Sequence, residues 1–129
     1  MINDKHFKLP ASELFDLVIN TRMRTLELVA DLTDEQFTVP KVDIVNPFSW
    51  ELGHIAFFYD AFLLGVLGSN SYLIEGGENL YDSFRVEQYN RWNLPLTSRK
   101  ETLSYMERVH EQVLDRLEAR EPNAQETYY

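Results

Sequence analysis

Leu14, Leu17, Val18, Leu28, Val29 and Leu32 recur at roughly helical spacing, with Thr21 and Thr25 interrupting them. A second row, Phe15, Ile19, Leu26 and Val29, widens the apolar face, and Arg22, Arg24 and Glu27 mark the wetter side. This predicts a first helix, opened by Pro10, Ala11 and Ser12. Thr33 and Gln36 have the spacing of a capping box and predict a short extra turn. Phe37 to Val45 holds Pro40 and many β-branched residues. No partner strand is evident, so it reads as an extended connection. Asn46 as N-cap and Pro47 at the first helical position open a second helix, running to Leu67 and stopping at Gly68. That helix is apolar nearly all round (Trp50, Leu52, Ile55, Phe57, Phe58, Phe62, Leu63, Val66, Leu67), which places it centrally in a bundle. Ala61 and Gly65 leave room for a neighbour to come close.

Ser69 to Pro95 is a long crossover with Gly76 and Gly77 in its middle. Its aromatics, Tyr72, Tyr81, Phe84, Tyr89 and Trp92, predict that it packs onto the bundle. Ser98 and Glu101 form a second capping box, opening a third helix with an inner stripe of Leu103, Met106, Val109, Val113, Leu114 and Leu117. Pro122 follows its end. Asn123 and Glu126 again have the spacing of an N-cap and an N3 acid, followed by Thr127, Tyr128 and Tyr129. A helix of one or two turns does not hold itself together in water. This pattern is either the start of a fourth helix cut short or a frayed polar tail, and spacing alone does not choose between them.

Composition narrows the function classes. With 129 residues, 44% apolar, 26% charged and 13% aromatic, the chain is globular and has room for one core. A net charge of −9 opposes nucleic acid and anionic membranes as partners. The richest apolar run, Ile55 to Gly68, contains Asp60 and falls short of the ~20 residues a spanning helix needs. There is no Cys, which removes disulfides, thiolate-bound metals and thiol nucleophiles. Met1 to Pro10 has no apolar signal core, and a cytoplasmic protein is expected. No phosphate loop, nucleophile elbow or Ser-His-Asp arrangement is present.

The candidate chemistry is therefore histidine. The three His residues, His6, His54 and His110, form no His-x-x-x-His pair, so no local metal site is encoded. His6 reads as a solvated residue of the N-terminal arm. His54 lies inside the apolar second helix, one turn after Trp50. It is either a buried imidazole satisfied by a hydrogen bond or a ligand to a metal that other helices complete. His110 falls within the stripe of the third helix and reads as a core-edge residue. Together with His54 it would still leave a divalent metal short of ligands unless a carboxylate such as Glu51 joined them. Asp16, Glu27, Glu107, Glu111 and Asp115 read as solvated faces.

The stretch Ser49-Trp50-Glu51-Leu52-Gly53-His54-Ile55-Ala56-Phe57-Phe58-Tyr59 resembles the Trp-x-x-x-His segment of DinB-like domains. The branch it looks most like is the N-terminal domain of ergothioneine-biosynthesis sulfoxide synthases of the EgtB type. Leu80-Tyr81-Asp82-Ser83-Phe84 is similar to that family's crossover, Arg91 to Arg99 to its lead into the third helix, and Thr102 to Met106 with Val113-Leu114 to that helix. The similarity runs in order from about Ala11 onward.

The resemblance implies an all-α, DinB-like four-helix bundle that supplies three His ligands to a mononuclear non-haem Fe(II). One ligand maps onto His54; the other two belong to a His-x-x-x-His pair on the fourth helix. A C-terminal domain related to formylglycine-generating enzymes supplies most of the substrate pocket. Such enzymes use Fe(II) and oxygen to join a thiol to trimethylhistidine.

On this reading residues 1–129 are a single, incomplete DinB-like domain of three long helices and an ordered crossover. It lacks the fourth helix and the C-terminal domain. The expectation is an N-terminal fragment of a non-haem iron sulfoxide synthase, with His54 its one metal ligand and no stable Fe(II) or turnover alone. The exposed bundle groove predicts a homodimer. Two alternatives stay open: a stand-alone DinB-like metal-dependent transferase or hydrolase, and a non-catalytic helical interaction module.

Overall fold

The computed structural model describes residues 9–65, 73–96 and 98–119. They are helical, with no strand among them, as the apolar spacing predicts. The chain order is α1 (Ala11–Val29), α2 (Phe48–Phe58) continuing as a π-helix (Tyr59–Leu64), α3 (Gly77–Tyr81), a 3₁₀ turn (Gln88–Trp92) and α4 (Arg99–Glu118). The chain divides into two compact units: the described residues of Met1–Asp31 with those of Gln112–Tyr129, and Leu32–Glu111.

In the first unit, α1 starts where Pro10, in an extended conformation, offers its carbonyl to the amides of Glu13 and Leu14. Its sheltered row is Leu14, Phe15, Val18, Ile19, Leu26 and Val29, all half-buried. Leu17 and Leu28, placed by spacing on the inner face, are exposed instead.

The second unit carries the candidate chemistry. It opens with the expected capping box. Thr33 N–H donates to Gln36 Oε1 at 2.9 Å, and Gln36 N–H to Thr33 Oγ1 at 3.2 Å. The extended connection that follows is irregular, and Val39 takes a left-handed φ of 43° that β-branched residues rarely adopt.

Helix α2 begins one residue later than the sequence suggests. Pro47 is its N-cap, with its carbonyl accepting from Glu51 N–H. Asn46 does not cap the helix, because its side chain is taken by charged partners. Its Nδ2 donates to Glu51 Oε1 at 2.6 Å and its Oδ1 accepts from Arg91.

One face of α2 and its π extension is buried: Trp50, Leu52, Gly53, Ala56, Phe57, Asp60 and Leu64. The helix is not enclosed all round, since Ile55, Phe58 and Phe62 form an exposed row. Among the described residues nothing approaches within 4 Å of a Cβ built at Gly65, so none of them makes a close contact there. The expected helix end at Leu67–Gly68 lies outside the described residues.

The crossover folds in part onto this unit. Tyr81 is fully buried and Trp92 donates its Nε1–H to Val39 O at 3.1 Å. Phe84 is 91% exposed and Tyr89 is exposed, so these two do not join the core. Ser98 and Glu101 form the second capping box, Glu101 N–H donating to Ser98 Oγ at 3.2 Å and Ser98 N–H returning to Glu101 Oε1. On α4 the buried stripe is Thr102, Tyr105, Met106, Val109 and Val113, while Leu103, Leu114 and Leu117 are only half-buried. The helix start expected at Asn123 lies outside the described residues.

Candidate metal-ligand site on the second helix

The last carbonyls of a helix have no partner within it. Those of the short helix α3 are claimed by α2. Trp50 Nε1–H donates to Leu80 O at 2.7 Å, and His54 Nδ1 lies 2.7 Å from Tyr81 O. Residues one turn apart on α2 thus hold adjacent carbonyls of the chain beside it. The indole and imidazole stack on each other, with centroids 4.5 Å apart and planes inclined by 13°.

A carbonyl oxygen can only accept. Nδ1 of His54 must therefore carry the hydrogen, and in the neutral ring Nε2 carries the lone pair. Among the described residues Nε2 has no hydrogen-bond partner. This is the tautomer and outer-shell arrangement that metal-bound histidines use. The ring is half-buried, neither sealed in the core nor turned fully into solvent.

Gly53 makes this approach possible. A Cβ there would stand 2.7 Å from Tyr81 Oη and closer still to the ring atoms Cε1 and Cζ. Without that Cβ the Tyr81 ring lies directly on the α2 backbone, which brings its carbonyl to His54.

Behind Tyr81 the packing continues to α4 and back to the π-helix. The Tyr81 and Tyr105 rings are 6.5 Å apart at 18°. Tyr105 Oη–H donates to Asp60 Oδ2 at 2.8 Å, and Leu73 N–H donates to the same oxygen at 2.8 Å. Asp60 is only 2% exposed, and its Oδ1 has no hydrogen-bond partner among the described residues. Burial, then the hydrogen bond and charge of Asp60, push the Tyr105 phenol far above its ordinary range. Asp60 falls on the π-helical segment, where a widened turn re-aims side chains.

The other sequence candidates do not join His54. Among the described residues no three His, Asp or Glu side chains are grouped to hold a metal, so Glu51, His54 and His110 do not form such a set. His110 is half-buried and has contacts of its own. His6 lies outside the described residues. Asp16, Glu27, Glu107, Glu111 and Asp115 are exposed, as expected of solvated faces.

Several participants have no motif of their own. Tyr81 acts through a backbone carbonyl and Gly53 through the lack of a side chain. Asp60 did have a signal: it follows Trp50, Gly53 and Phe57 on one helical row, ahead of Leu64.

Comparison with known proteins bears on the family of the chain. The chain is 35% identical over 100 residues to the hercynine oxygenase of Mycobacterium tuberculosis (strain ATCC 25618 / H37Rv). The alignment covers 76% of this chain and 23% of that protein, so the chain spans less than a quarter of its relative's length. Residues 18–129 match the DinB superfamily. With that match over most of its length, on an all-helical fold that carries the Trp-x-x-x-His segment, the chain belongs to the DinB superfamily.

Proposed function

We propose that the chain is the ligand-bearing helical part of a non-haem iron sulfoxide synthase acting on hercynine, the trimethylated betaine of histidine, and a thiol. The observation that carries this is the His54 ring. It is fixed by an acceptor-only partner in the tautomer that leaves Nε2 to bind a metal, in a chain similar to a hercynine oxygenase. Iron, when bound, would supply the oxygen chemistry that joins carbon to sulfur. The protein's part at this position is to hold the imidazole: Trp50 stacks on it and Tyr81 O keeps the proton on Nδ1. One imidazole is a weak hold on Fe(II), and the described residues gather no group of three His, Asp or Glu to hold a metal. On this reading the rest of the centre comes from outside them, and the expected behaviour of the chain alone is no turnover. The same finding disfavours a self-sufficient transferase or hydrolase built on His54 and His110. The exposed row of Ile55, Phe58 and Phe62 supports self-association of the chain on the same reading.

The test is a cobalt(II) titration of the purified chain, followed in visible absorption beside an assay with hercynine, a thiol and Fe(II) in air. Weak saturable binding that His54→Ala abolishes, with helicity kept and no turnover, is the expected result. Binding indifferent to His54→Ala, or turnover by the chain itself, overturns it.

A further inference from the structure

The Trp50 indole has a second partner. The guanidinium carbon of Arg91 lies 3.9 Å from the ring centroid, so a cation, an indole and the His54 imidazole are in successive contact. Arg91 comes from the 3₁₀ turn and is only 9% exposed. Each of its side-chain nitrogens is bonded: Nε and Nη2 donate to Val86 O at 3.2 and 2.8 Å, and Nη1 donates to Asn46 Oδ1 at 3.1 Å. Asn46 is held in turn by Glu51 on α2. A guanidinium is costly to bury, and burial does lower the basicity of this one, with Glu51 partly compensating. A surface ion pair needs none of that. A desolvated cation against an indole face, in a fixed planar fork, is where a cation–π contact is strongest.

We propose that Arg91 is a positioning residue for the His54 ligand, acting through Trp50. The guanidinium fixes the indole, and the indole fixes the plane of the imidazole. The carbonyl of Tyr81 then sets only the rotation within that plane. The effect on metal affinity rests on His54 being a ligand; the effect on the ring's orientation does not. A purely structural Arg91, tying the 3₁₀ turn to α2, would support stability and leave the imidazole where it is.

The test reads the ring itself in the 129-residue chain, by side-chain ¹H and ¹⁵N NMR assigned with His54→Ala. In the wild type, His54 ring protons are shifted upfield by the indole and Nδ1 carries the hydrogen. Arg91→Met, which keeps the stem but removes the cation and the fork, loses more than half of that shift and mixes the tautomers. Arg91→Lys restores part of it, and Asn46→Ala, which loosens only one tether, moves it in the same direction. Cobalt(II) affinity falls about tenfold in Arg91→Met, the lower end for partners acting behind a ligand.

An upfield shift unchanged in folded Arg91→Met overturns the proposal. If that variant does not fold, an unchanged shift in Asn46→Ala overturns it equally. A wild-type chain that binds no cobalt, yet whose His54 shifts still follow Arg91, removes the ligand reading and leaves the positioning role supported.

Discussion

Replacing Gly53 with Ala should destabilise the protein although Gly53 sits inside a helix, where the exchange ordinarily stabilises by ~1 kcal/mol. The reason is Tyr81. The new methyl would stand 2.7 Å from its Oη and nearer to two ring carbons, distances that real Cβ atoms do not tolerate. The ring has nowhere to go: Tyr81 is fully buried and flanked by Tyr105, and its carbonyl is tied to His54. Overpacking of this kind costs roughly 1–3 kcal/mol. Set against the propensity gain, the upper part of that range leaves a net loss of about 1–2 kcal/mol. Gly65 is the control. It is exposed, takes helical angles of φ −59° and ψ −45°, and has nothing among the described residues within 4 Å of its built Cβ. Gly65→Ala should therefore stabilise by about 0.5–1 kcal/mol. Urea denaturation followed by far-ultraviolet circular dichroism gives both signs. In a thermal melt, 1 kcal/mol is about 4 °C for a chain of this size. A Gly53→Ala midpoint at or above wild type, beside the expected rise for Gly65→Ala, would show that Tyr81 does not lie on the helix as described.

Two further outcomes follow from the buried face and from the exposed one. Tyr105→Phe leaves Asp60 Oδ2 with only the Leu73 amide and should cost about 1–3 kcal/mol at neutral pH. Because the folded-state pKa of Tyr105 is raised, its contribution is complete below the unfolded value near 10 and is lost as the pH rises beyond it. The wild type should then lose stability more steeply than Tyr105→Phe between about pH 9 and 11, and parallel curves in urea melts would contradict this. On the outer side of α2, Phe58 and Phe62 are 55% and 48% exposed and their ring centroids are 4.8 Å apart. Sedimentation at micromolar concentration should show a dimer that Phe58→Ser with Phe62→Ser converts to monomer; a compact wild-type monomer refutes self-association through this row.

Elements whose formation depends on near neighbours were legible in the sequence. Both capping boxes form as their spacing indicates, because each needs only residues three apart. The three long helices follow from apolar periodicity for the same reason. What depended on distant partners was not legible. Asn46 has the composition of an N-cap, but Arg91, far along the chain, competes for its oxygen and wins. Tyr105 would pass for one more member of an apolar stripe, and only the π-helical carboxylate of Asp60 makes it an anchor. The left-handed Val39 runs against its own propensity, which no local pattern reports.

The site itself shows why a histidine inside an apolar helix is ambiguous in sequence and less so in structure. A core histidine and a ligand histidine share the same surroundings along the chain; they differ in what meets each nitrogen. Had His54 Nδ1 met a hydroxyl, either partner could have donated and the tautomer would have been open. It meets a carbonyl, which fixes the proton, and that carbonyl stands at the end of α3, with Asp82 already extended. Its reach depends on Gly53, since any side chain at that position would push Tyr81 away. The fixed tautomer and orientation of His54 therefore come from a helix end, a missing Cβ and a stacked indole acting together. None of these would show in a search for metal-binding residue types.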